Sequence, residues 1–185
     1  MPIKLKIVIV VIIAILLGVW FFVSRSTTPK TQQPPLSIQQ SSYRSLVPGK
    51  TLKSIVEDFF EKPIKETTIG GSLIYEYPSL DKERSVSVYL NKDGVVSLII
   101  EPVLPNAPFS EVYENFQKPD LVLYGPYSPL GFNLFVNLTR GVAVLANPAS
   151  QIIYERWYFP ITTKDYFLSA YSTGYSLIPP PTEQE

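Results

Sequence analysis

The side chains best spaced for acid–base chemistry are three carboxylates in a predicted helix. Glu57 and Asp58 are adjacent in the sequence, and Glu61 follows one turn later. Paired carboxylates can serve as general acid and general base, as they do in glycoside hydrolysis. Carboxylates on the polar side of a helix are far more often solvated surface groups. We therefore expect a solvated helix face here and assign no catalytic residue.

The composition excludes most other kinds of catalytic or metal site. The 185 residues include no Cys and no His, which rules out disulfides, thiol nucleophiles, lipid attachment through an N-terminal cysteine and His-containing triads. The usual ligands of zinc, copper and iron are missing for the same reason. The 16 basic residues balance the 16 acidic ones, and no basic stripe typical of nucleic-acid binders is visible. The sequence predicts a protein that is not an enzyme, with no cofactor, metal or nucleic-acid partner.

Aromatic side chains are the better candidates for a binding surface. Tyr occurs 12 times and Phe 10 times, and Tyr and Trp are enriched in the hot spots of protein interfaces. Several lie opposite the apolar stripes of predicted strands or in a loop, so we predict a partner surface on an open sheet face. The alternative is that they form a second core face or are scattered over the surface. The predicted surface residues are Tyr89, Tyr124, Tyr127, Phe135 and Trp157.

Apolar residues at helical spacing predict the helices that would support this surface. The first helix is predicted to begin after the N-cap Thr51 and to end before Pro63, which cannot continue the hydrogen-bond ladder. A second helix is predicted at 109–116, and Thr162 or Thr163 is expected to cap a short helix at 164–171. The first helix is predicted to form one apolar face from Leu52, Ile55, Val56, Phe59 and Phe60.

Alternating polar and apolar residues predict the strands, and the helix–strand–strand–strand pattern recurs after residue 105. Lys62-Pro63 matches Lys118-Pro119, and the hairpin turn at 91–94 matches the turn at 139–141. The recurrence indicates either a duplication or two generic units that share a Lys-Pro by chance. The predicted fold class is α+β, an antiparallel sheet with helices packed on one face, built from the two repeated units and preceded by one transmembrane helix. Strands are expected at 72–77, 85–90, 95–100, 121–124, 132–138, 142–146 and 152–159.

The transmembrane prediction rests on residues Ile7 to Val23, which include no charged or strongly polar side chain. A bilayer-spanning helix needs roughly 17–25 such residues. A cleaved signal peptide and a buried core helix are the alternatives, but the apolar run exceeds the roughly 7–15 residues of a signal peptide, and no face of the helix is polar. We predict a single-pass protein of the cytoplasmic membrane, with the lipid bilayer as the partner of residues 7–23, the N-terminus inside and the domain outside.

The predicted domain organisation follows from this segment and from composition. Residues 1–6 are predicted to be a cytoplasmic tail, and residues 24–42, rich in Ser, Thr, Gln and Pro, a flexible linker. The two repeated units are predicted at 43–105 and 106–178. A disordered tail is predicted at 179–185.

Each unit resembles the SmpA/BamE family of bacterial envelope lipoproteins. The resemblance is carried by Pro48-Gly49-Lys50-Thr51 before the helix, Lys62-Pro63 after it, Tyr75 in the first strand, and the hairpin from Val86 to Val95. It implies a small two-helix, three-strand module. The tandem arrangement is similar to that of the β-lactamase inhibitor protein, in which two related modules share one chain.

Two departures limit what this resemblance implies. Glu61 and Gln117 stand where the family commonly has Gly, and the lipid-bearing cysteine is missing. The activities of individual family members do not carry over, because function resides in sites and not in folds. The resemblance implies an envelope-facing, membrane-anchored, non-catalytic interaction or scaffolding module with an envelope protein as partner. The alternative is a binder of a small ligand, peptide or cell-wall polymer in a cleft between the units, and a carboxylate-only enzyme is a third hypothesis.

Overall fold

A computed structural model describes residues 40–79, 83–104 and 118–181. All of them belong to one compact unit, Ile38–Glu185. In this part of the chain the structure contains two α-helices and eight β-strands. Along the chain these are α1 (Lys53–Phe60), β1 (Lys65–Ile69), β2 (Ser72–Pro78), β3 (Ser85–Leu90), β4 (Val96–Pro102), β5 (Leu121–Tyr124), β6 (Asn133–Asn137), β7 (Val142–Asn147), β8 (Ile152–Tyr158) and α2 (Lys164–Ala170).

The eight strands form one continuous antiparallel sheet in the order β1-β2-β3-β4-β8-β7-β6-β5. Strands β1 to β4 are neighbours in sequence order, and so are β5 to β8, so each half is a four-stranded meander. The halves meet where β4 pairs with β8, with Ile100 opposite Trp157 and Glu101 opposite Arg156. The predicted helix–strand–strand–strand unit is therefore wrong, because each half of the chain contributes four strands.

The order is symmetric about the β4–β8 junction, so β1 to β4 correspond by position to β5 to β8. The turn at 91–94 joins β3 to β4, whereas the turn at 139–141 joins β6 to β7. These two turns therefore do not occupy equivalent places. Lys62-Pro63 and Lys118-Pro119 do, since each precedes the first strand of its half.

Both faces of the sheet are apolar, and the two described helices cover opposite ones. We call them the α1 face and the α2 face. Val56 of α1 belongs to the same buried cluster as Val88 of β3, while Phe167 of α2 belongs to the same buried cluster as Trp157 of β8. Strand β7 is buried along Val142–Ala146, which a strand covered on one side cannot be. The prediction of helices on one face is therefore wrong. A sheet whose two faces are both apolar must be covered on both sides.

The ends of the two helices differ from each other in how they are capped. Thr163 accepts a hydrogen bond from the Tyr166 backbone N–H, which confirms it as the N-cap of α2. The predicted cap Thr51 instead accepts from the Val47 N–H, and the N-cap of α1 is Leu52, with no side-chain hydrogen bond. Glu61 ends α1 with φ 59°, in the position that often holds glycine.

None of the described helices is long and apolar enough to cross a membrane. The eight residues of α1 extend only about 12 Å, against a hydrocarbon core of about 30 Å. The predicted fold class with a transmembrane helix, and the predicted single-pass localisation with that helix as the membrane anchor, are therefore wrong for the part of the chain that the structure describes. The predicted helices at 7–23 and 109–116 lie outside the described residues.

One buried hydroxyl on the α1 face leads to a stability prediction. The ring of Tyr77 stacks on Phe60, with centroids 4.3 Å apart, and burial raises the pKa of Tyr77 to about 12. Its hydroxyl has no hydrogen-bond partner within the described ranges. Because an unsatisfied buried hydroxyl costs about 1–3 kcal/mol, Tyr77→Phe should raise the free energy of unfolding by about 1 kcal/mol in urea titration.

The matched control is Tyr158→Phe. The Tyr158 hydroxyl donates to Glu101 and accepts from Arg156, so this variant should lower the free energy of unfolding by about 1 kcal/mol or more. Equal losses in both variants would show that the Tyr77 hydroxyl is satisfied after all.

Candidate interaction surfaces and a charged cavity

The structure places the five predicted surface residues in different environments. Tyr89 is half-buried and Trp157 buried on the α2 face, whereas Phe135 is buried in the core of the α1 face. Tyr127 lies in the turn after β5 and is 44% exposed, and Tyr124 is half-buried at the end of β5. Tyr89 and Trp157 therefore share a face, and Tyr127 reaches the same side through its ring contact with Tyr154. Phe135 points to the opposite face, and Tyr124, two residues after its neighbour Val122 on β5, is on the same side as Phe135.

A half-buried carboxylate organises the aromatic rings of the α2 face. The indole N–H of Trp157 donates to Glu155 Oε2 at 3.0 Å, and burial raises the pKa of the Glu155 carboxyl. Burial first, and then the Glu155 charge, raise the pKa values of Tyr89 and Tyr175. The rings of Trp157 and Tyr175 meet edge to face at 5.8 Å. The Glu155 carboxylate thus fixes the orientation of the Trp157 indole against Tyr175. The cluster is an ordered second core with an exposed margin.

Helix α1 carries an exposed apolar stripe that the predicted single core face did not anticipate. Val56 is fully buried and Phe60 packs against the core, as predicted. Leu52, Ile55 and Phe59, however, are 50%, 50% and 45% exposed. Ile55 and Phe59 are four residues apart and lie on one side of the helix, and Leu52 immediately precedes the helix as its N-cap. We call these three residues the α1 stripe.

The carboxylates of α1 are engaged in surface contacts. Glu57 forms an ion pair with Lys53 at 3.5 Å and accepts a hydrogen bond from the Tyr75 hydroxyl at 3.0 Å. Asp58 and Glu61 are exposed. These contacts tie α1 to β2 and border the α1 stripe with charge, as the polar rim of an interface does.

A cavity of about 160 Å³ lies at the β4–β8 junction, on the α1 face. Three charged side chains line it: Arg44, Glu101 and Arg156. Arg156 Nη1 donates to the Tyr158 hydroxyl at 3.1 Å, and that hydroxyl donates to Glu101 Oε2 at 3.0 Å. Arg156 Nη1 also lies 3.7 Å from Glu101 Oε2. Because Glu101 and Arg156 are directly opposite each other on β4 and β8, this pair joins the two halves of the sheet.

The third charge of the cavity is held on a strained turn. Tyr43 and Leu46 exchange backbone hydrogen bonds of 3.0 and 2.8 Å, and the two residues between them have positive φ, 47° at Arg44 and 76° at Ser45. A turn with positive φ at both central residues is type I′, which favours Asn-Gly. Arg and Ser there cost about 1–2 kcal/mol each. The Arg44 guanidinium lies 5.2 Å from the Tyr43 ring centroid and has no ion pair or hydrogen bond to the rest of the described chain.

A larger cavity of about 600 Å³ lies beside the β5 edge of the sheet. The backbone of Tyr124 exchanges two hydrogen bonds of 2.8 Å with Ser176, so the C-terminal segment covers the end of this edge strand. Pro179, Pro180 and Pro181 then line the cavity. These prolines were predicted to belong to a disordered tail, the rest of which lies outside the described residues. Covering an edge strand protects it from pairing with other chains.

No known family model, curated protein or solved structure matches this chain. The resemblance to SmpA/BamE therefore stays a prediction. In the residues that the structure describes, no group of three or more acidic side chains is placed to hold a metal ion.

Sequence reasoning missed the charged cavity and misassigned the α1 stripe. Glu101 and Arg156 come from strands far apart in sequence, so no local pattern pairs them. Arg44 adjoins the predicted linker, where a charged residue is unremarkable. For the α1 stripe, the apolar residues of α1 span an arc of about 140° at 100° per residue, which fits one core-facing stripe as well as a stripe divided into a buried and an exposed edge.

Proposed function

We propose that this domain is a non-catalytic protein-interaction module whose docking element is the α1 stripe. The observation that supports it is the division of α1 into a buried edge at Val56 and an exposed apolar edge at Leu52, Ile55 and Phe59. Residues at positions i, i+3 and i+7 are the anchors with which a helix enters an apolar groove of a partner. A partner protein with such a groove fits the stripe, and the Lys53–Glu57 pair beside it would lie at the polar rim.

A position-specific crosslinking experiment tests this proposal. A photoreactive phenylalanine analogue replaces Ile55 in the full-length protein in its native cells. The control carries the analogue at Tyr166, which is 55% exposed on α2. We expect a crosslinked partner from position 55 and none from position 166. Phe59→Ala should lower the affinity for this partner about tenfold, because truncating an interface anchor typically costs about 1–2 kcal/mol or more of binding free energy.

Two controls make the result interpretable. Phe59 is half-exposed, so its truncation should change the free energy of unfolding by less than about 1 kcal/mol, as surface substitutions do. Tyr127→Ala tests the aromatic margin of the α2 face in the same assay. If Tyr127→Ala abolished the crosslink to the partner and Phe59→Ala retained it, docking by α1 would be contradicted. The interface would then belong to the aromatic residues predicted from the sequence.

The alternative function, a ligand binder in a cleft between the two halves, is favoured by one observation, the cavity at the β4–β8 junction. Its volume of about 160 Å³ is below the roughly 300–1,000 Å³ of ordinary small-molecule sites. A peptide or polymer segment does not fit into it. The volume of this cavity therefore does not support a peptide or polymer binder between the two halves.

A further inference from the structure

We propose that the cavity at the β4–β8 junction binds a carboxylate group attached to a short apolar chain, with Arg44 and Arg156 as its ligands. This inference goes beyond the proposed function, because the cavity and the α1 stripe share no residue. It rests on the charge and the size of the cavity and on the backbone strain of the turn that carries Arg44.

Among the described residues, the charges that line the cavity leave one positive charge without a counterion. Arg44 and Arg156 contribute two positive charges and Glu101 one negative charge. Glu101 is already engaged by Arg156 and by the Tyr158 hydroxyl. Arg44 lines the cavity, is exposed and lies over the Tyr43 ring, and it forms no ion pair with another described residue. A monoanion would complete the balance, and a guanidinium is the group best suited to hold a carboxylate through two parallel hydrogen bonds.

The size and the remaining lining restrict what the carboxylate carries. A cavity of about 150 Å³ holds one benzene molecule, so about 160 Å³ admits about six non-hydrogen atoms. The apolar part of the lining is supplied by Val86, Pro102, Val103 and Leu104. A short aliphatic acid fits this combination, and so does the side chain of a glutamate from another protein. A divalent phosphate fits less well, because only one positive charge is uncompensated among the described residues that line the cavity.

The strain of the turn gives an independent reason to regard Arg44 as functional. Residues held at positive φ against their preference persist where the surrounding structure requires them, and they concentrate at ligand-binding sites. Asn-Gly would form the same type I′ turn without strain. The turn instead presents an arginine to the cavity.

The test is calorimetric titration of the full-length protein with sodium butyrate at constant ionic strength. Sodium chloride is the reference for binding of any small anion. Butylammonium chloride is the reference for binding of a four-carbon chain that lacks a carboxylate. We expect a dissociation constant for butyrate on the order of 1 mM. Arg44→Asn should raise this dissociation constant about tenfold or more, because a charge-assisted hydrogen bond to the carboxylate is lost. The same variant should unfold at an equal or higher temperature, since Asn suits the turn.

Ser45→Gly is the matched control, because it relieves strain in the same turn and keeps the arginine. It should bind butyrate as the parent protein does. Blocked glutamate, N-acetyl-glutamate N-methylamide, separates the two sources of the carboxylate. Binding of both compounds, each dependent on Arg44, identifies a partner side chain as a fitting occupant, and binding of butyrate alone identifies a free acid.

Three outcomes would overturn the proposal: butyrate binding no better than chloride, unchanged binding in Arg44→Asn, or equal loss in Arg44→Asn and Ser45→Gly. None of these would affect the crosslinking result at Ile55. Failure of one proposal is therefore distinguishable from failure of the other.

Discussion

Replacing Gly141 by Ala should lower the free energy of unfolding by about 3 kcal/mol or more. Gly141 has φ 66°, where an L side chain costs about 1–2 kcal/mol. A Cβ atom there would also collide with the carbonyl oxygen of Phe159. This carbonyl belongs to backbone that cannot rotate away, because Phe159 is fully buried and its N–H donates to the Gly141 carbonyl at 2.9 Å. Relieving the collision requires a backbone shift, which typically adds 1–3 kcal/mol.

Gly71→Ala is the control for this prediction. Gly71 also has positive φ, 80°, but a Cβ atom there would have no neighbour within 4 Å. The Gly71→Ala substitution should lower the free energy of unfolding only by the conformational cost of about 1–2 kcal/mol. Urea unfolding of the two variants measures the difference, which is the cost of the collision alone. Equal losses would show that the turn at 139–141 does not press against the end of β8.

Replacing Phe167 by Ala should cost about 3–5 kcal/mol, the usual range for a buried phenylalanine. Phe167 is fully buried, and its ring lies 4.7 Å from Phe159 and 5.6 Å from Tyr171. A helix of seven residues, as α2 is, is not stable in isolation. It is held by this contact, so its loss should release α2 from the sheet. Chemical denaturation followed by circular dichroism measures the effect.

Tyr166→Ala is the neighbouring control, because Tyr166 is largely exposed on the other side of α2. We expect a loss below about 1 kcal/mol. A small effect in Phe167→Ala, comparable to that in Tyr166→Ala, would contradict the packing of α2 on the sheet and leave this face of the protein open.

Most strands could be located from the sequence, and one could not. Seven predicted strands are confirmed to within about two residues at their ends, because a half-buried strand alternates apolar and polar residues. Strand β1, Lys65-Glu66-Thr67-Thr68-Ile69, was missed. It is an edge strand whose two faces are both largely exposed, so it shows no alternation, and only its pairing with β2 defines it.

The candidate sites were less predictable than the strands. Tyr89 and Trp157 were expected on one surface and do share a face, but Phe135 lies on the other. The choice of face depends on register, and one residue of register moves every side chain to the opposite side. Phe135 is paired with Val144 and Trp157 with Ala143, and these neighbours on β7 point to opposite faces. This pairing between distant strands has no signature in a single sequence.

By itself the sequence determined the absence of Cys and His chemistry, the position of α1, most strands and the capped start of α2. These features depend on neighbours within a few residues, so composition and spacing reveal them. The tertiary structure alone decided that β4 pairs with β8, that the helices cover opposite faces, and that Arg44, Glu101 and Arg156 meet around one cavity. The β4–β8 pairing and the meeting of the three charges depend on contacts between residues more than 50 positions apart. The face that each helix covers depends on tertiary packing, because hydrophobic patterning specifies that a face is buried without specifying what buries it.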